Sequence, residues 1–401
     1  MENISRRNFL GNMGTIGAAA FVVPTVMASG AVSAQAQSYD QFKPFGRKIK
    51  VGIIGCGSVM NGNYAPHLGN CPYAEIVSCC DIKPDRAEKA AKTFNIPNWY
   101  PHIDKMLAGA EFDLLVNCTD MQEHGRLNRI AIMAGKYVWS EKPMANTYKE
   151  GRELFDLANS MGKHIWGAPA MVNSPQFAFM ARQLNAGKLG RVAAAHAHYG
   201  HQGPGWSAFF YEENGGSMPD LGVYNMVSLT GLLGPAKSVV AMLNIITPNR
   251  NVEDKGFIQV KAEDNAHILL EHQNGVLSHV QCGFNYFNPA GHSGLGEVRP
   301  TISIIGSDGN MNLIGYDWHP LGVEVATTGH EELEMFATDS GTFVWQEGAS
   351  VICEHLSTGK ELLITSEHAL HVLEIMEGAR KSQATGQRIS LQSAFKWPVV
   401  V

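Results

Sequence analysis

Charge is scarce in this chain: Asp, Glu, Lys and Arg supply 17% of its 401 residues, and the formal net charge is −6. No extended run of lysine or arginine occurs. The electrostatic footprint for nucleic acid or anionic lipid is therefore missing, and a small-molecule partner is expected instead. Cysteine is sparse and odd in number, seven in all. Of Cys56, Cys71, Cys79, Cys80, Cys118, Cys282 and Cys353, four sit in or beside expected buried strands of the first domain, which is no disulfide framework. Also missing is the run of about 20 strongly apolar residues that a membrane span requires. The most apolar stretch, Gly14 to Ala28, is broken by glycine and proline, so no stable membrane insertion is expected. Hydrophobic residues nevertheless make up 45% of the chain, ample for the cores of two domains.

The beginning of the chain has the pattern of an export signal. Ser5-Arg6-Arg7-Asn8-Phe9-Leu10 puts paired arginines before the apolar stretch, and Ala34-Gln35-Ala36 offers a cleavage site after it. Residues 1–36 thus read as a twin-arginine signal peptide, with a periplasmic or otherwise exported mature protein starting near Gln37. Free thiols agree with a protein that folds in the reducing cytoplasm before export. A polar linker follows over residues 37–46.

From 47 to 168, short apolar runs alternate with helical patterns. The runs are Ile49 to Ile54, Glu75 to Cys80, Asp113 to Cys118, Tyr137 to Ser140 and His164 to Trp166. Between them, "RAEKAAKTFN" and "GRLNRIAIMAGK" place apolar residues at helical spacing. This describes βαβ units and a doubly wound parallel sheet, an α/β fold. Beyond Pro169 the pattern changes. A helix is expected near Gln176 to Ala186, then long strands with Gln-Asn-Gly and Ser-Asp-Gly-Asn turns, and a last amphipathic helix in "TSEHALHVLEIMEGARKS". Residues 169–401 therefore read as an α+β domain with a large, mostly antiparallel open sheet.

The first strand ends in Gly55-Cys56-Gly57-Ser58-Val59-Met60. Glycines there permit a tight turn and let backbone N–H groups approach a pyrophosphate at a helix start. Asp81 ends the second strand, where its carboxylate can bind adenosine ribose hydroxyls. It would repel a 2′-phosphate, favouring NAD over NADP, although Lys83 and Arg86 are near. Met60 stands where a glycine or alanine is usual. Glu141-Lys142-Pro143 ends the fourth run at the carboxyl edge of the sheet, with the lysine aimed into the crevice.

Together "GIIGCG", Asp81, "NCTDMQEH", "GKYVWSEKPMA", "LNAGKLGRV" and "GGSMPDLGVY" resemble the family of glucose-fructose oxidoreductase and inositol dehydrogenase over nearly the whole mature chain. The resemblance implies an N-terminal Rossmann domain, a C-terminal domain that binds substrate and pairs subunits in a homo-oligomer, and a sugar oxidoreductase. It puts Lys142 beside the nicotinamide and the substrate hydroxyl. In Asp220-Leu221-Gly222-Val223-Tyr224 a tyrosine replaces the family's histidine, which implies Tyr224 as acid/base. A phenol becomes a base only if nearby positive charge stabilises its anion, and Lys142 with the oxidised nicotinamide would supply it. Tyr224 as proton acceptor with Lys142 as electrostatic partner is the preferred split, and the reverse stays open. Asp220 would bind substrate hydroxyls or hold Lys142. Thr119, His124, Glu141 and Trp206 are expected along the cofactor with Gly55, Gly57, Ser58, Val59 and Asp81. Met121 stands in place of a family proline, and Asn173 in place of a family cation.

His196 and His198 alternate onto one strand face and with His201 have ligand chemistry. The resembled family transfers hydride without metal, so no metal is expected, and a polar sheet face, an oligomer contact or sugar-binding histidines are the readings. Outside the cytoplasm no pool reoxidises released NADH. Export therefore selects a tightly bound cofactor and a cycle that restores it. One such cycle passes the hydride from a sugar or glycoside to a second carbonyl compound, and another is an NAD-dependent glycosidase acting by transient oxidation and elimination. A non-catalytic sugar-binding protein is the reading from another class.

Overall fold

The computed structural model describes residues 42–289, 291 and 295–401. The expected signal peptide and residues 37–41 of the expected linker lie outside them. Six parallel strands form the first sheet: β1 (Ile49–Ile54), β2 (Ala74–Cys80), β3 (Asn98–Tyr100), β4 (Leu114–Asn117), β5 (Tyr137–Ser140) and β6 (Ile165–Gly167). Their order is β3-β2-β1-β4-β5-β6, so strand order reverses between β1 and β4. Every residue of β4 and β5 is buried, as a sheet covered on both faces demands, and this is why those segments read as unbroken apolar runs.

The connecting helices are α1 (Ala65–Asn70), α2 (Pro84–Phe94), α3 (Ile103–Leu107), α4 (His124–Met133) and α5 (Tyr148–Ser160). In α2, Pro84 occupies the first turn, Ala87, Ala90 and Ala91 face the sheet, and Asn95 stops the helix at φ 53°, each at the position its backbone chemistry favours. Strand β3 has no counterpart among the expected runs. It has only three residues, lies at the sheet edge and exposes Trp99, too little for a pattern of period two to register.

The second sheet is built from β7 (Val192–Gly200), β8 (Ala236–Asn244), β11 (Asn265–His272), β12 (Leu277–Gly283), β13 (Pro300–Gly306), β14 (Gly309–Tyr316), β15 (His319–Thr327), β16 (His330–Phe336) and β17 (Ile389–Ser390), while β9 (Asn249–Val252) and β10 (Gly256–Gln259) form a separate ribbon. The nine strands run β16-β15-β14-β13-β7-β12-β11-β8-β17. Only the β7–β12 pair is parallel. The domain's helices are α6 (Pro175–Asn185), α7 (Val223–Leu233), α8 (Gly348–Thr358) and α9 (Ser366–Thr385). Helix α7 is buried along its whole length and packs against α6, α9 and β7. The fold class expected from the sequence, a Rossmann-type parallel sheet followed by an α+β domain with a mostly antiparallel open sheet, is the one formed. All seven cysteines are free.

Candidate active site

Three loops meet at the carboxyl end of the parallel sheet, beside the reversal between β1 and β4 where ligands bind in such folds. The first follows β1. Gly55 has φ +88°, and a Cβ there would lie 2.6 Å from the carbonyl carbon and oxygen of Cys118, so the protein itself requires that glycine. Gly57 differs: a Cβ added to it would meet nothing within 4 Å. The space it leaves open faces out of the chain, at the start of a helical segment whose first N–H groups have no partner within the helix. Ser58 there is exposed and Val59 half-buried. The cradle fits a dinucleotide pyrophosphate. Asn61 Nδ2 braces it by donating to the Cys56 and Gly57 carbonyls at 2.8 and 2.7 Å. Met60 is fully buried, accommodated because Met60–Tyr64 winds as a wider π turn before α1.

Asp81 is 7% exposed. Its carboxylate accepts from the Cys56 and Lys83 backbone N–H groups at 2.8 and 2.7 Å, which fixes it beside the glycine turn and leaves lone pairs for ribose hydroxyls.

The second loop follows β4. The Asn117 side chain accepts from Thr119 N and Oγ1 at 3.2 and 2.7 Å. The nitrogens of buried His124 lie 2.7 Å from the Pro143 carbonyl and 2.9 Å from the Thr119 carbonyl, and burial lowers its pKa. As a neutral ring His124 donates its one N–H to one of these carbonyls and packs between the two loops. Gln122 donates to the Phe209 and Glu213 carbonyls at 2.8 and 3.2 Å, bringing the 206–213 segment to this loop. Trp206 in that segment is 42% exposed and meets Phe210 edge-on.

The third loop follows β5. Glu141, 7% exposed, accepts from the Tyr64 hydroxyl at 2.7 Å and from the Lys142 N–H at 3.0 Å. Tyr64 in turn accepts from Trp139 Nε1 at 2.9 Å. Both carboxylate oxygens thus have partners inside the protein, and Glu141 positions the loop. Lys142 Nζ reaches across to the second domain, 2.6 Å from Asp220 Oδ1 and 3.0 Å from the Asp220 carbonyl. Asp220 lies in the π-wound segment Met218–Gly222 that leads into α7.

Tyr224, on the first turn of α7, presents its ring face to Lys142, with Nζ 5.3 Å from the ring centroid. Burial, then the negative charge of Glu141 and Asp220 among its neighbours, pushes the Tyr224 pKa well above its ordinary value. That is the opposite of what the expected phenolate base needs. Burial and these carboxylates favour the protonated phenol, a hydrogen-bond donor, which weighs toward the reverse split of roles that the sequence left open.

Sequence reasoning missed an aromatic wall on this site. Tyr199 and Trp345 pack against Tyr224, with centroids 6.0 and 6.1 Å away. Behind them lies Asp317, which accepts from Ser228 Oγ at 2.8 Å and whose carboxyl is raised by burial to about 6. These residues come from strands and loops far apart in sequence and carry no motif.

The histidines do not group as a chelate. His201 is buried against Phe284, whereas His196 lies on the other face of β7. There His196 Nδ1 meets His279 Nδ1 at 2.9 Å, and His279 Nε2 meets His267 at 3.2 Å. Among the described residues no group of three His, Cys, Asp or Glu is arranged to hold a metal ion.

Comparison with known proteins agrees with this architecture. Residues 49–168 match the domain described as oxidoreductase family, NAD-binding Rossmann fold, and residues 177–312 match the GFO/IDH/MocA C-terminal domain. An uncharacterized oxidoreductase of Schizosaccharomyces pombe is 25% identical over 86% of this chain and 99% of its own length. The D-glucoside 3-dehydrogenase of Escherichia coli is 30% identical over 48% of this chain and 57% of its own. Among solved structures, levoglucosan dehydrogenase in complex with NADH and L-sorbose superposes with a TM-score of 0.74 at 17% identity, covering 86% of this chain and 99% of that one.

Proposed function

The chain belongs to the GFO/IDH/MocA oxidoreductase family and carries its NAD-binding Rossmann domain, and from that premise we propose that it moves a hydride between a sugar or glycoside hydroxyl and a nicotinamide cofactor. The observation that carries this reading is the largely buried pair of Lys142 and Asp220, 2.6 Å apart, the lysine standing just beyond β5 at the same carboxyl end of the parallel sheet as the open Gly57 cradle beyond β1. A dinucleotide in that cradle supplies a hydride acceptor. As the neutral amine, donating one N–H to Asp220, Lys142 takes the hydroxyl proton on its lone pair, and the Asp220 carboxylate holds it and balances the charge it gains. Tyr224 donates a hydrogen bond to the substrate oxygen. The relatives named for glucosides and levoglucosan support a sugar as substrate class.

Asp81 favours NAD over NADP, because a 2′-phosphate would meet its carboxylate. The paired arginines at the start of the chain support export through the twin-arginine route, and a site outside the cytoplasm supports a cofactor that stays bound. No helix among the described residues is long and apolar enough to cross a membrane. The outer face of the nine-stranded sheet exposes Met242, Leu269 and Leu277 at 76%, 55% and 57%, an apolar patch that supports pairing with a second copy.

The test is to recover the protein from the exported fraction, release and identify any nucleotide, and follow nicotinamide absorbance while sugars and glycosides are offered. The reading expects stoichiometric NAD and an absorbance change without added nucleotide. Absence of nucleotide, together with no response to any sugar in the presence of added NAD, contradicts it.

A further inference from the structure

A cleft of about 410 Å³ opens between the first helix of the Rossmann domain and the loops that follow β14 and β16, lined by Asn63, His67, Trp318, Phe343, Trp345 and Gln346 among others. It begins one ring away from the candidate reaction centre. Trp345 packs on Tyr224 with centroids 6.1 Å apart, Trp318 lies 6.1 Å from Trp345, and Trp318 also tilts against Tyr199 at 6.3 Å. The wall of aromatic rings is therefore continuous from the phenol of Tyr224 into the cleft.

One donor in this lining lacks a partner. Gln346 is 2% exposed, yet its Nε2 has no hydrogen-bond partner, whereas the Trp318 indole is engaged by the Tyr199 hydroxyl. A buried donor left unpaired is costly, so Gln346 points to an acceptor supplied by a ligand. The residues lining the cleft include no Asp, Glu, Lys or Arg. Its occupant is accordingly uncharged, has flat apolar faces to lie on indole and phenyl rings, and carries an oxygen acceptor at its edge.

We propose that this cleft is a second sugar subsite, holding the neighbouring neutral pyranose ring of a disaccharide whose first ring is oxidised at Lys142. The inference rests on the oxidoreductase reading for the identity of the first ring, but the subsite is testable by binding alone. A carboxylate on the second ring would be desolvated here without a cationic partner, so uronic-acid disaccharides are disfavoured.

The experiment is calorimetric titration of the full NAD-loaded protein with glucose, cellobiose, maltose and cellobiouronic acid. At least one of the two neutral disaccharides should bind about tenfold tighter than glucose, the contribution of an aromatic platform plus a hydrogen bond, and cellobiouronic acid should lose that advantage. Phe343→Ala and Gln346→Leu should each reduce the ratio of disaccharide to glucose affinity severalfold, and thermal melting identifies a variant that has not folded. Neutral disaccharides binding no tighter than glucose, or a ratio unmoved in folded variants, overturns the subsite. If the ratio behaves as expected while no sugar reduces the nicotinamide, the subsite stands and the oxidoreductase reading falls.

Discussion

Lys142 and Asp220, 78 residues apart in sequence, meet as one hydrogen-bonded pair with Nζ 2.6 Å from Oδ1 and both side chains 11% exposed. The pair joins the Rossmann domain to the second domain at the point where the proposed reaction puts the substrate, so its two members should fail differently. Lys142→Met removes the group that takes the proton, and turnover should fall by about 10²–10⁴-fold while nucleotide is retained. Asp220→Asn keeps the shape but removes the charge that balances the protonated amine, with kcat reduced by about 10–100-fold. Steady-state kinetics with the best sugar checks both, and a fully active Lys142→Met variant removes the lysine from the chemistry.

Tyr224 is expected to matter less. Buried among Glu141, Tyr199, Asp220 and Asp317, its phenol stays protonated because its pKa is pushed up. Tyr224→Phe should lose one hydrogen bond to substrate, about a tenfold fall in kcat/KM, with the pH profile unshifted. A fall beyond about 10³-fold, with the alkaline limb of the profile lost, restores the phenol as base.

The two glycines of the cofactor turn separate folding from binding. Gly55→Ala drives a methyl into the Cys118 carbonyl at a positive φ, and poor soluble expression or a clearly lowered Tm is expected. Gly57→Ala meets no protein atom, so the variant should fold with nearly unchanged Tm and bind NAD at least about tenfold more weakly. Calorimetric NAD titration reads the difference, and unaltered NAD affinity in Gly57→Ala moves the pyrophosphate elsewhere.

Acid should weaken the fold through buried histidine. His368, bonded to Thr230 at 2.8 Å and stacked on Phe395 at 4.0 Å, has its pKa pushed down by burial to about 3, below the ordinary value of about 6.5. Below that ordinary value the unfolded chain holds a proton that the folded chain refuses. The stability is therefore complete above about pH 6.5 and is lost as pH falls towards 3. Asp317 and Glu347 act in the opposite sense, their carboxyls being raised by burial to about 6 and about 7. Wild type and variant must therefore be compared directly. His368→Gln should be less stable at pH 7 but should lose up to about 1.4 kcal/mol less per pH unit below about pH 6, as urea unfolding at stepped pH will show. Parallel curves would mean that His368 does not titrate in this window.

The sequence made the parallel sheet readable because its strands are buried on both faces and so are almost wholly apolar, and it made Gly55, Gly57, Asp81 and Lys142 readable because each stands at the end of such a strand. Strand β3 escaped notice for the converse reason, being short and half exposed. The division of roles between Lys142 and Tyr224 was not legible because the phenol's pKa depends on its burial and on carboxylates contributed by other segments, which no local spacing encodes. Glu141 and His124 carried motif identities, yet their polar atoms lie against Tyr64, Lys142, Thr119 and Pro143 inside the protein. Trp318, Trp345 and Gln346 follow the reaction centre by about a hundred residues and belong to no repeat or motif, so only the folded chain brings them to it.

The account stands most directly on single-turnover reduction of bound nicotinamide, measured by its near-ultraviolet absorbance after mixing sugar with wild type and with Lys142→Met, both loaded with NAD. Wild type should show a rapid rise that slows when the transferred hydrogen is deuterium, and Lys142→Met should bind the same sugar with a rise slower by about 10²–10⁴-fold. Equal rates in the two proteins, or no rise in wild type with any sugar it binds, would contradict proton removal at Lys142 as the centre of this protein's chemistry.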